Sequence, residues 1–413
     1  MLKNNEGNSG PLTGIRIVEM ATVFNGPVTG YMLGDLGAEV IKVEPPITGD
    51  LSRGMSSIYD VKMQLPGGVN ATFLQANRNK KSVILNLKNE KGKEVFYRLI
   101  EKSDVFITNY LQKTMKKLKI DYDTLRQFNN QLIYAETSTF GSHGPISDRG
   151  GYDMSAQAFS GAMWISGDRD FEEPTVIVGS VFDQVAASML AYGVTAALLA
   201  RERTGVGQKV ECSLSGSAIH MQAMNMNPFL WGGRPMTRFS RKRCRNPLTN
   251  YYRCSDGKWI LITEPQSQKY WHDICEALEM LDVENDSKFT SGELRRSNYA
   301  DLIAILDRQF ANKTREEWLR IFGNYNFAFA PVYEYADLVD NPQVLENEYI
   351  VEMDDPTLGK TKIVGFPVQF SETPARIYDR PPEFGEHTEQ VLNEVLGYSW
   401  DEISDLGDQG ALR

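Results

Sequence analysis

The feature that most constrains the fold is the alternation of strand and helix patterns along the first half of the chain. Residues 14–20 (GIRIVEM) and 38–44 (AEVIKVE) are typical of buried strands. Between them lies a loop and then a short helix, with Pro27 suited to the first helical position and Gly37 to the end. Because a strand–helix–strand unit of this kind builds a parallel sheet, the segment predicts an α/β fold.

The same alternation continues to about residue 214. Short apolar runs rich in β-branched residues predict strands, and apolar residues spaced three and four apart predict helices. The further strands are predicted at 82–87, 104–108, 132–137 and 209–214, and the main helices at 89–103 and 184–203. Such a series predicts a doubly wound, Rossmann-like α/β domain.

The pattern changes near residue 225. Residues 251–264 predict a β-hairpin, residues 268–322 are largely helical, and Thr314 with Glu317 forms a capping-box pattern. Mixed α/β patterns return from about residue 328. We therefore expect a large Rossmann-like domain formed from both chain ends, and a smaller inserted α+β domain, with the bounds 10–224 and 326–413 for the first and 225–325 for the second.

Composition narrows the classes of function. The 413 residues include 44 Lys and Arg against 54 Asp and Glu, a net charge of −10 that disfavours nucleic-acid binding. Four cysteines without a CxxC pair and four histidines without paired spacing predict neither a disulfide framework nor a metal site. The polar N-terminus lacks the apolar stretch of a signal peptide, and the apolar run 184–200 is shorter than a membrane span. We expect a buried helix there, in a cytoplasmic protein that does not contact a membrane.

Basic residues concentrate in two places. Such runs are usually solvated surface, but on an acidic chain they are also candidates for a phosphate-binding patch. The first cluster is Arg78, Lys80, Lys81 and Lys88, and the second is Arg238, Arg241, Lys242, Arg243 and Arg245.

Asp183 is the most informative single residue, because it stands where the long apolar helix begins. One hypothesis is a helix N-cap that accepts hydrogen bonds from free N–H groups. The other is chemical. A carboxylate at a helix N-terminus is expected to stay ionised, and an ionised carboxylate without a cationic partner can attack an activated acyl group. The pattern alone leaves both hypotheses open.

A resemblance to a known family bears on this choice. The chain resembles the class III CoA-transferases, which include the formyl-CoA:oxalate, carnitine, bile-acid and phenyllactate CoA-transferases. The similarity is carried in order by several motifs and is weakest over 225–250. The motifs include PLTGIRIVEMATVFNGP from residue 11, NRNKKSVILNLKNEKG from 77, SDVFITNY from 103, GPISDRGGYDMSAQAFSG from 144, TGVGQKVECSL from 204 and GEHTEQVL from 385.

The resemblance implies a fold and a mechanism. Two subunits of the family interlock like links of a chain, so an intertwined homodimer is expected. Asp183 aligns with the catalytic aspartate, which attacks an acyl-CoA donor to give a mixed anhydride and then an aspartyl-CoA thioester. CoA finally passes to a carboxylic acid acceptor. Coenzyme A and acyl-CoA are substrates in this scheme, and no permanently bound cofactor is expected.

The resemblance also implies CoA-contacting positions. Lys117 replaces the more usual Arg near the phosphates, which keeps the charge but loses the bidentate geometry. Phe24 stands where formyl-CoA transferase has Gln, and the glycine run of that enzyme is missing from the region that reads RKRCRNPLTNYY here. Oxalate is therefore doubtful as acceptor, and a larger or more apolar acid is expected, or a second carboxylate held by the arginines at 238–245. The contacting positions are Phe24, Asn25, Asn86, Lys88, Asn109, Tyr110, Lys117, Tyr152 and Asp153.

Two alternatives remain. An α-methylacyl-CoA racemase of the same fold needs two acid/base groups, but Tyr152 stands where that branch has His, and the nearest histidine in sequence is His143. A non-catalytic CoA-binding subunit of a heteromer is the second alternative, and the presence of Asp183 argues against it.

Overall fold

The computed structural model describes residues 10–413, which divide into two compact units. The first unit contains the described residues up to Trp164, Val176–Pro235 and Leu345–Arg413, and the second contains Ile165–Thr175 and Met236–Val344. The second unit therefore begins and ends later than residues 225 and 325, and it includes a short segment from earlier in the chain.

The first unit is built on a parallel sheet. In chain order, its elements up to residue 235 are β1 (Arg16–Met20), α1 (Asn25–Asp35), β2 (Glu39–Glu44), β3 (Ser57–Ile58), β4 (Val61–Lys62), α2 (Ala71–Ala76), β5 (Lys80–Ile84), α3 (Glu90–Glu101), β6 (Val105–Thr108), α4 (Gln112–Leu118), α5 (Tyr122–Leu125), β7 (Ile133–Ser138), α6 (Asp153–Phe159), α7 (Ala162–Ile165), α8 (Val181–Thr204), β8 (Lys209–Ser213), α9 (Leu214–Met221) and α10 (Ala223–Gly232). Six strands pair in the order β5-β2-β1-β6-β7-β8, all parallel. This is the strand order of a doubly wound fold, and the predicted α/β architecture is confirmed.

Alternate residues of the strands face opposite sides of the sheet, and each side carries its own core. On one side, Val18, Ile41 and Phe106 pack against α3 and against the last two helices of the chain. On the other side, Ile17, Val40 and Ile133 pack against α1 and α8, mainly through buried aliphatic side chains of those helices. The sheet is therefore covered on both faces, as parallel sheets are.

The second unit has its own core around a three-stranded antiparallel sheet, in which β10 (Trp259–Thr263) lies between β9 (Thr249–Arg253) and β11 (Phe329–Val332). The predicted hairpin is confirmed as β9 and β10, and the helical content of 268–322 and the Thr314–Glu317 capping box are confirmed as well. The remaining elements of the chain are β9 (Thr249–Arg253), β10 (Trp259–Thr263), α11 (Trp271–Ala277), α12 (Leu281–Glu284), α13 (Gly292–Ser297), α14 (Tyr299–Phe310), α15 (Arg315–Phe322), β11 (Phe329–Val332), α16 (Tyr335–Leu338), α17 (Pro342–Glu346), β12 (Ile350–Asp355), β13 (Gly359–Val364), α18 (Thr388–Glu394) and α19 (Trp400–Asp408).

Two predictions about charged residues need correction. Arg78 and Lys80 are buried rather than part of a basic surface, since Arg78 pairs with Asp35 at 2.6 Å and Lys80 with Glu19 at 2.7 Å. Strand β5 accordingly begins at Lys80, two residues before the predicted start. A lysine in a strand is normally taken as solvated, and its burial here depends on an ion partner from another strand.

Helix α8 is also not buried all round. Leu190 and Val194 pack on the sheet, but Tyr192 is 71% exposed and Leu199 is 55% exposed. By length and composition α8 is apolar enough to cross a membrane, and the same holds for many core helices of soluble proteins. One face of this helix is core, and the other is an apolar surface.

Candidate active site

At the centre of the sheet, between β1 and β6, the order in which successive strands are added changes side. From β1 the chain continues to β2 on one side, whereas β6 leads to β7 on the other. In doubly wound folds ligands bind in the crevice outside the carboxyl ends of the two strands at this point. Thr22 follows β1 and Asn109 follows β6. The Thr22 N–H donates to Asn109 Oδ1 at 3.0 Å, and Asn109 Nδ2 donates to the Thr22 carbonyl at 2.7 Å.

Asn109 was predicted to contact CoA, and in the structure its side chain also connects two loops. Both polar atoms of its amide are bonded to the backbone of Thr22, so the loop after β1 is tied to the end of β6. That loop continues into α1 through Phe24 and Asn25, two further predicted positions.

Asp183 lies in the first turn of α8, at the third helical residue. Ser180 occupies the cap position, has a left-handed φ of 52°, and makes no side-chain capping bond. The N-cap hypothesis for Asp183 is therefore wrong. The cap comes from another helix, because Oδ1 of Asp153 in α6 accepts hydrogen bonds from Phe182 N at 2.7 Å and Asp183 N at 3.0 Å.

The loop after β1 packs against the same turn of α8. Asn25 Nδ2 donates to the Asp183 carbonyl oxygen at 2.8 Å. The buried Phe24 side chain belongs to a small apolar cluster with Val28, Ala76 and Ala187, and Ala187 lies one helical turn beyond Asp183. Three predicted residues, Phe24, Asn25 and Asp153, are thus brought to the start of α8.

The Asp183 carboxyl group sits in an unfavourable place for a charge. Burial raises its pKa from the ordinary 3.8 to about 7, and the negative charge of Asp153 adds to this effect. In residues 10–413 no Lys, Arg or His forms an ion pair with it. The expectation that the helix terminus keeps Asp183 ionised is therefore wrong in direction, because burial and a like charge outweigh the dipole.

Sequence reasoning missed Tyr59, which lies in the tight turn of the β3–β4 hairpin. Both turn residues, Tyr59 and Asp60, have positive φ values, 48° and 63°. Burial raises the pKa of the Tyr59 phenol, and the charges of Asp153 and Asp183 add to it, so the phenol lies within electrostatic range of both carboxylates. Two-residue hairpin turns with this backbone normally carry Asn or Gly, and no sequence pattern pointed to a tyrosine here.

The other predicted CoA contacts lie elsewhere on the first unit. Lys88 and Lys117 are exposed, and Tyr110 packs partly buried against the core below α3. Asn86 Nδ2 donates to the carbonyl oxygens of Gly410 and Arg413, so its side chain holds the C-terminal segment. Tyr152 is 72% exposed, directly before Asp153. Their contacts with CoA stay predictions.

The basic segment 238–245 has partners within its own unit. Arg241 forms a bidentate pair with Asp307, at 2.8 and 2.9 Å, and Arg243 pairs with Asp170 at 2.8 Å. Arg238 donates to the Phe171 carbonyl at 2.7 Å. Arg241 and Arg243 are therefore poor candidates for holding a second carboxylate of the acceptor, whereas the exposed Arg245 stays a candidate.

Comparison with known proteins identifies the family to which the chain belongs. A family model described as CoA-transferase family III matches residues 12–388. The chain belongs to CoA-transferase family III. It is similar to succinyl-CoA:glutarate CoA-transferase of Mus musculus, with 32% identity over 97% of this chain and 90% of the relative. It is also 30% identical to cinnamoyl-CoA:phenyllactate CoA-transferase of Clostridium sporogenes, over 97% of each chain.

Solved structures agree with the family assignment. A CaiB/BaiF family protein from Brucella suis superimposes with a TM-score of 0.83 and 27% identity, covering 94% of this chain and 100% of that one. The similarity extends over both described units, so the protein is a family III CoA-transferase in sequence and in fold. An acyl-CoA substrate and a carboxylate acceptor fit this family.

Proposed function

We propose that this family III CoA-transferase moves CoA between an acyl-CoA and a carboxylic acid through covalent intermediates on Asp183. The observation that supports the proposal is a half-buried carboxyl group whose pKa is raised to about 7. Near neutral pH about half of such groups are ionised, and a poorly solvated carboxylate without a cationic partner is a stronger nucleophile than an exposed one.

The proposed reaction needs no reactant other than the acyl-CoA donor and the acceptor acid. An Asp183 carboxylate oxygen attacks the donor thioester carbonyl, the C–S bond breaks, and CoA thiolate leaves a mixed anhydride. The thiolate then attacks the Asp183 carbonyl carbon, which gives an aspartyl-CoA thioester and releases the donor acid as carboxylate. The acceptor carboxylate attacks that thioester, the C–S bond breaks, and CoA thiolate leaves a second mixed anhydride. The thiolate then attacks the acceptor's carbonyl carbon in this anhydride, which gives the new acyl-CoA and releases the Asp183 carboxylate. Asp183 is regenerated as carboxylate, and the thioester is never hydrolysed.

We propose that the acceptor is larger than oxalate. Phe24 is buried beside Ala187 and stands where formyl-CoA transferase has Gln, so this position offers no polar side chain to a small acid such as oxalate. The relatives are named for glutarate and phenyllactate, acids of this larger kind. Because Arg241 and Arg243 already have carboxylate partners, the proposal does not assign them to the acceptor.

An intertwined homodimer is part of the proposal. Exposed apolar side chains lie on α8, such as Tyr192 and Leu199, and on α10, where Met224 is 89% exposed and Trp231 is 82% exposed. Large exposed apolar side chains are typical of subunit interfaces. Sedimentation of the wild type should give a dimer, and Met224→Asp with Trp231→Asp should give monomers, whereas Ile47→Asp, also in a highly exposed position, should not.

The nucleophile is tested by substitution and by trapping. Asp183→Ala should abolish transfer while CoA binding survives. Incubation of the wild type with acyl-CoA and hydroxylamine should convert the Asp183 carboxyl group to a hydroxamate, which peptide mass spectrometry locates. Near-normal turnover of the variant, or a label on another residue, would refute the assignment.

The same preparations separate the proposal from its alternatives. Deuterium entering the α-carbon of a 2-methylacyl-CoA without any acceptor acid would favour a racemase. Binding of CoA without transfer to any acid in a broad panel would favour a non-catalytic subunit. A screen of acyl-CoA donors against carboxylic acids, with mass spectrometry of new thioesters, also identifies the acceptor.

A further inference from the structure

The loop after β1 contains an unusual backbone conformation. Val23 has a φ of 68°, in the left-handed region. A β-branched residue is a genuine outlier there, since its side chain crowds the backbone. Such a conformation persists only where the surrounding structure holds it, and it is found most often near functional sites.

Asp50, after β2, supplies the contacts that hold this loop. Its Oδ1 accepts hydrogen bonds from Val23 N at 2.9 Å and from Thr22 Oγ1 at 3.1 Å. The same oxygen accepts from Ser52 N at 2.8 Å and Ser52 Oγ at 2.7 Å, which fixes the carboxylate in place. Thr22 Oγ1 in turn accepts from Leu51 N at 3.1 Å, so the two loops are joined in both directions.

A buried lysine balances the charge of Asp50. Lys42 is fully buried, with Nζ 2.7 Å from Asp50 Oδ2 and 2.8 Å from Glu19 Oε1. The same ammonium donates to the Ala21 carbonyl at 2.9 Å, one residue before Thr22. The loop is therefore held at three successive residues by one ion network beneath it.

The held residues lead directly to the nucleophile. Val23 is followed by Phe24, which packs near Ala187, and by Asn25, whose amide donates to the Asp183 carbonyl. If Val23 relaxed to negative φ, the chain direction at Phe24 and Asn25 would change. The conformation at one residue therefore controls the contacts of the loop with the first turns of α8.

We propose that Asp50 is a positioning residue for the transfer reaction, holding Val23 in its left-handed conformation so that Phe24 and Asn25 stay in place against the helix that carries Asp183. This inference rests on the proposed role of Asp183 as the nucleophile. Asp50 does not touch the reacting atoms in this account. It acts through the loop, and its effect on the rate of the covalent step should exceed its effect on the affinity for CoA, for which Phe24 and Asn25 are two of several predicted contacts.

The test measures how fast Asp183 becomes labelled by hydroxylamine in a single turnover, together with the Kd of CoA. Asp50→Ala removes the oxygen that accepts from Val23 N and should slow labelling by roughly tenfold to a hundredfold, the effect of a displacement near 1 Å at a reacting group. The Kd of CoA should rise by only about threefold or less, since Phe24 and Asn25 are two of several predicted contacts with CoA. If the single variant does not fold, Asp50→Ala with Lys42→Met removes one charge of each sign and takes its place.

Val23→Gly distinguishes positioning from general stability. Glycine reaches positive φ without strain, so the loop no longer depends on Asp50 to hold it. In the Val23→Gly background the same Asp50→Ala change should therefore slow labelling by only about threefold or less, a clear departure from additivity. The matched control is Asp35→Ala, which removes the partner of buried Arg78 at the far end of α1 and should leave the labelling rate unchanged.

The outcomes are distinct. An equal slowing by Asp50→Ala in both backgrounds, or the same slowing by Asp35→Ala, would overturn the positioning role and leave Asp50 as a structural ion partner. An unchanged rate of Asp183 labelling in folded Asp50→Ala would overturn it as well. Absence of any label at Asp183 in the wild type would instead refute the proposed function.

Discussion

Asp183→Asn should stabilise the folded protein while it abolishes transfer. The pKa of Asp183 is raised from 3.8 to about 7 because the half-buried carboxyl group is poorly solvated and lies near Asp153. The difference is about 3 pKa units, and each unit corresponds to about 1.4 kcal/mol. Keeping the carboxylate charged in the folded state therefore costs about 4 kcal/mol, which the neutral amide avoids.

Proton binding determines how this cost varies with pH. Between pH 3.8 and about 7 the folded state keeps a proton on Asp183 that the unfolded chain has lost, so this group lowers stability as the pH rises. The cost is complete above pH 7 and absent below pH 3.8. The advantage of Asp183→Asn over the wild type should be small near pH 4 and largest at pH 8.

Urea unfolding at pH 5 and pH 8, at one protein concentration, measures this difference. Asp401→Asn is the matched control, because Asp401 is an exposed aspartate in the first turn of α19. It should change the free energy of unfolding by less than about 0.5 kcal/mol at either pH. A gain for Asp183→Asn that does not grow from pH 5 to pH 8, or a loss at pH 8, would refute the reasoning.

Further predictions concern the rate and the core. The acid limb of kcat/KM should lie near pH 7, with activity at pH 6 about a tenth of the plateau, because only ionised Asp183 attacks. Asp153→Asn should move that limb to lower pH, and a pH profile that does not move would contradict the electrostatic role of Asp153. Gly30→Ala should lower the free energy of unfolding in urea by about 3 kcal/mol or more, since a Cβ there would lie 1.9 Å from buried Glu19 Oε2. Gly54→Ala, which meets no atom within 4 Å, should be nearly neutral.

The order of strands and helices could be predicted because it depends on local patterns. The strands of the parallel sheet are short apolar runs, and α3 shows clear helical spacing at Val95, Phe96, Leu99 and Ile100. The start of β5 was missed because Lys80 is buried on an ion partner in β1. Whether a lysine is solvated or paired depends on tertiary contacts that no local pattern contains.

Helix α10 shows a second limit. Residues 223–232 are helical, although their apolar residues show little helical periodicity. Exposed apolar residues such as Met224, Leu230 and Trp231 leave no polar face, and Pro228 lies inside the helix. The hydrophobic pattern reports burial within one chain, so a helix with apolar residues on its exposed side gives no clear period.

The candidate site could be named from the sequence only in part, because its partners are distant along the chain. Asp183 was singled out by its place at the start of a long helix and by the family resemblance, but Asn25 and Asp153, which bond to its backbone, lie far from it in sequence. The tie between Thr22 and Asn109 and the hold of Asp50 on Val23 are likewise long-range contacts. Each pair meets only because parallel strands bring their carboxyl ends to the same edge of the sheet.

The cap supplied by Asp153 explains why a nucleophilic aspartate can sit at the start of α8. Had Asp183 been the N-cap, its oxygens would accept backbone N–H groups, its charge would be stabilised, and it would be a poorer nucleophile. Because Asp153 accepts those bonds, the Asp183 side chain is left without them, and the second negative charge raises its pKa further. An asparagine at 153 could accept the same N–H groups without the charge. Asp153→Asn therefore separates the two effects: helix α8 should keep its start, and only the pH dependence of the reaction should change.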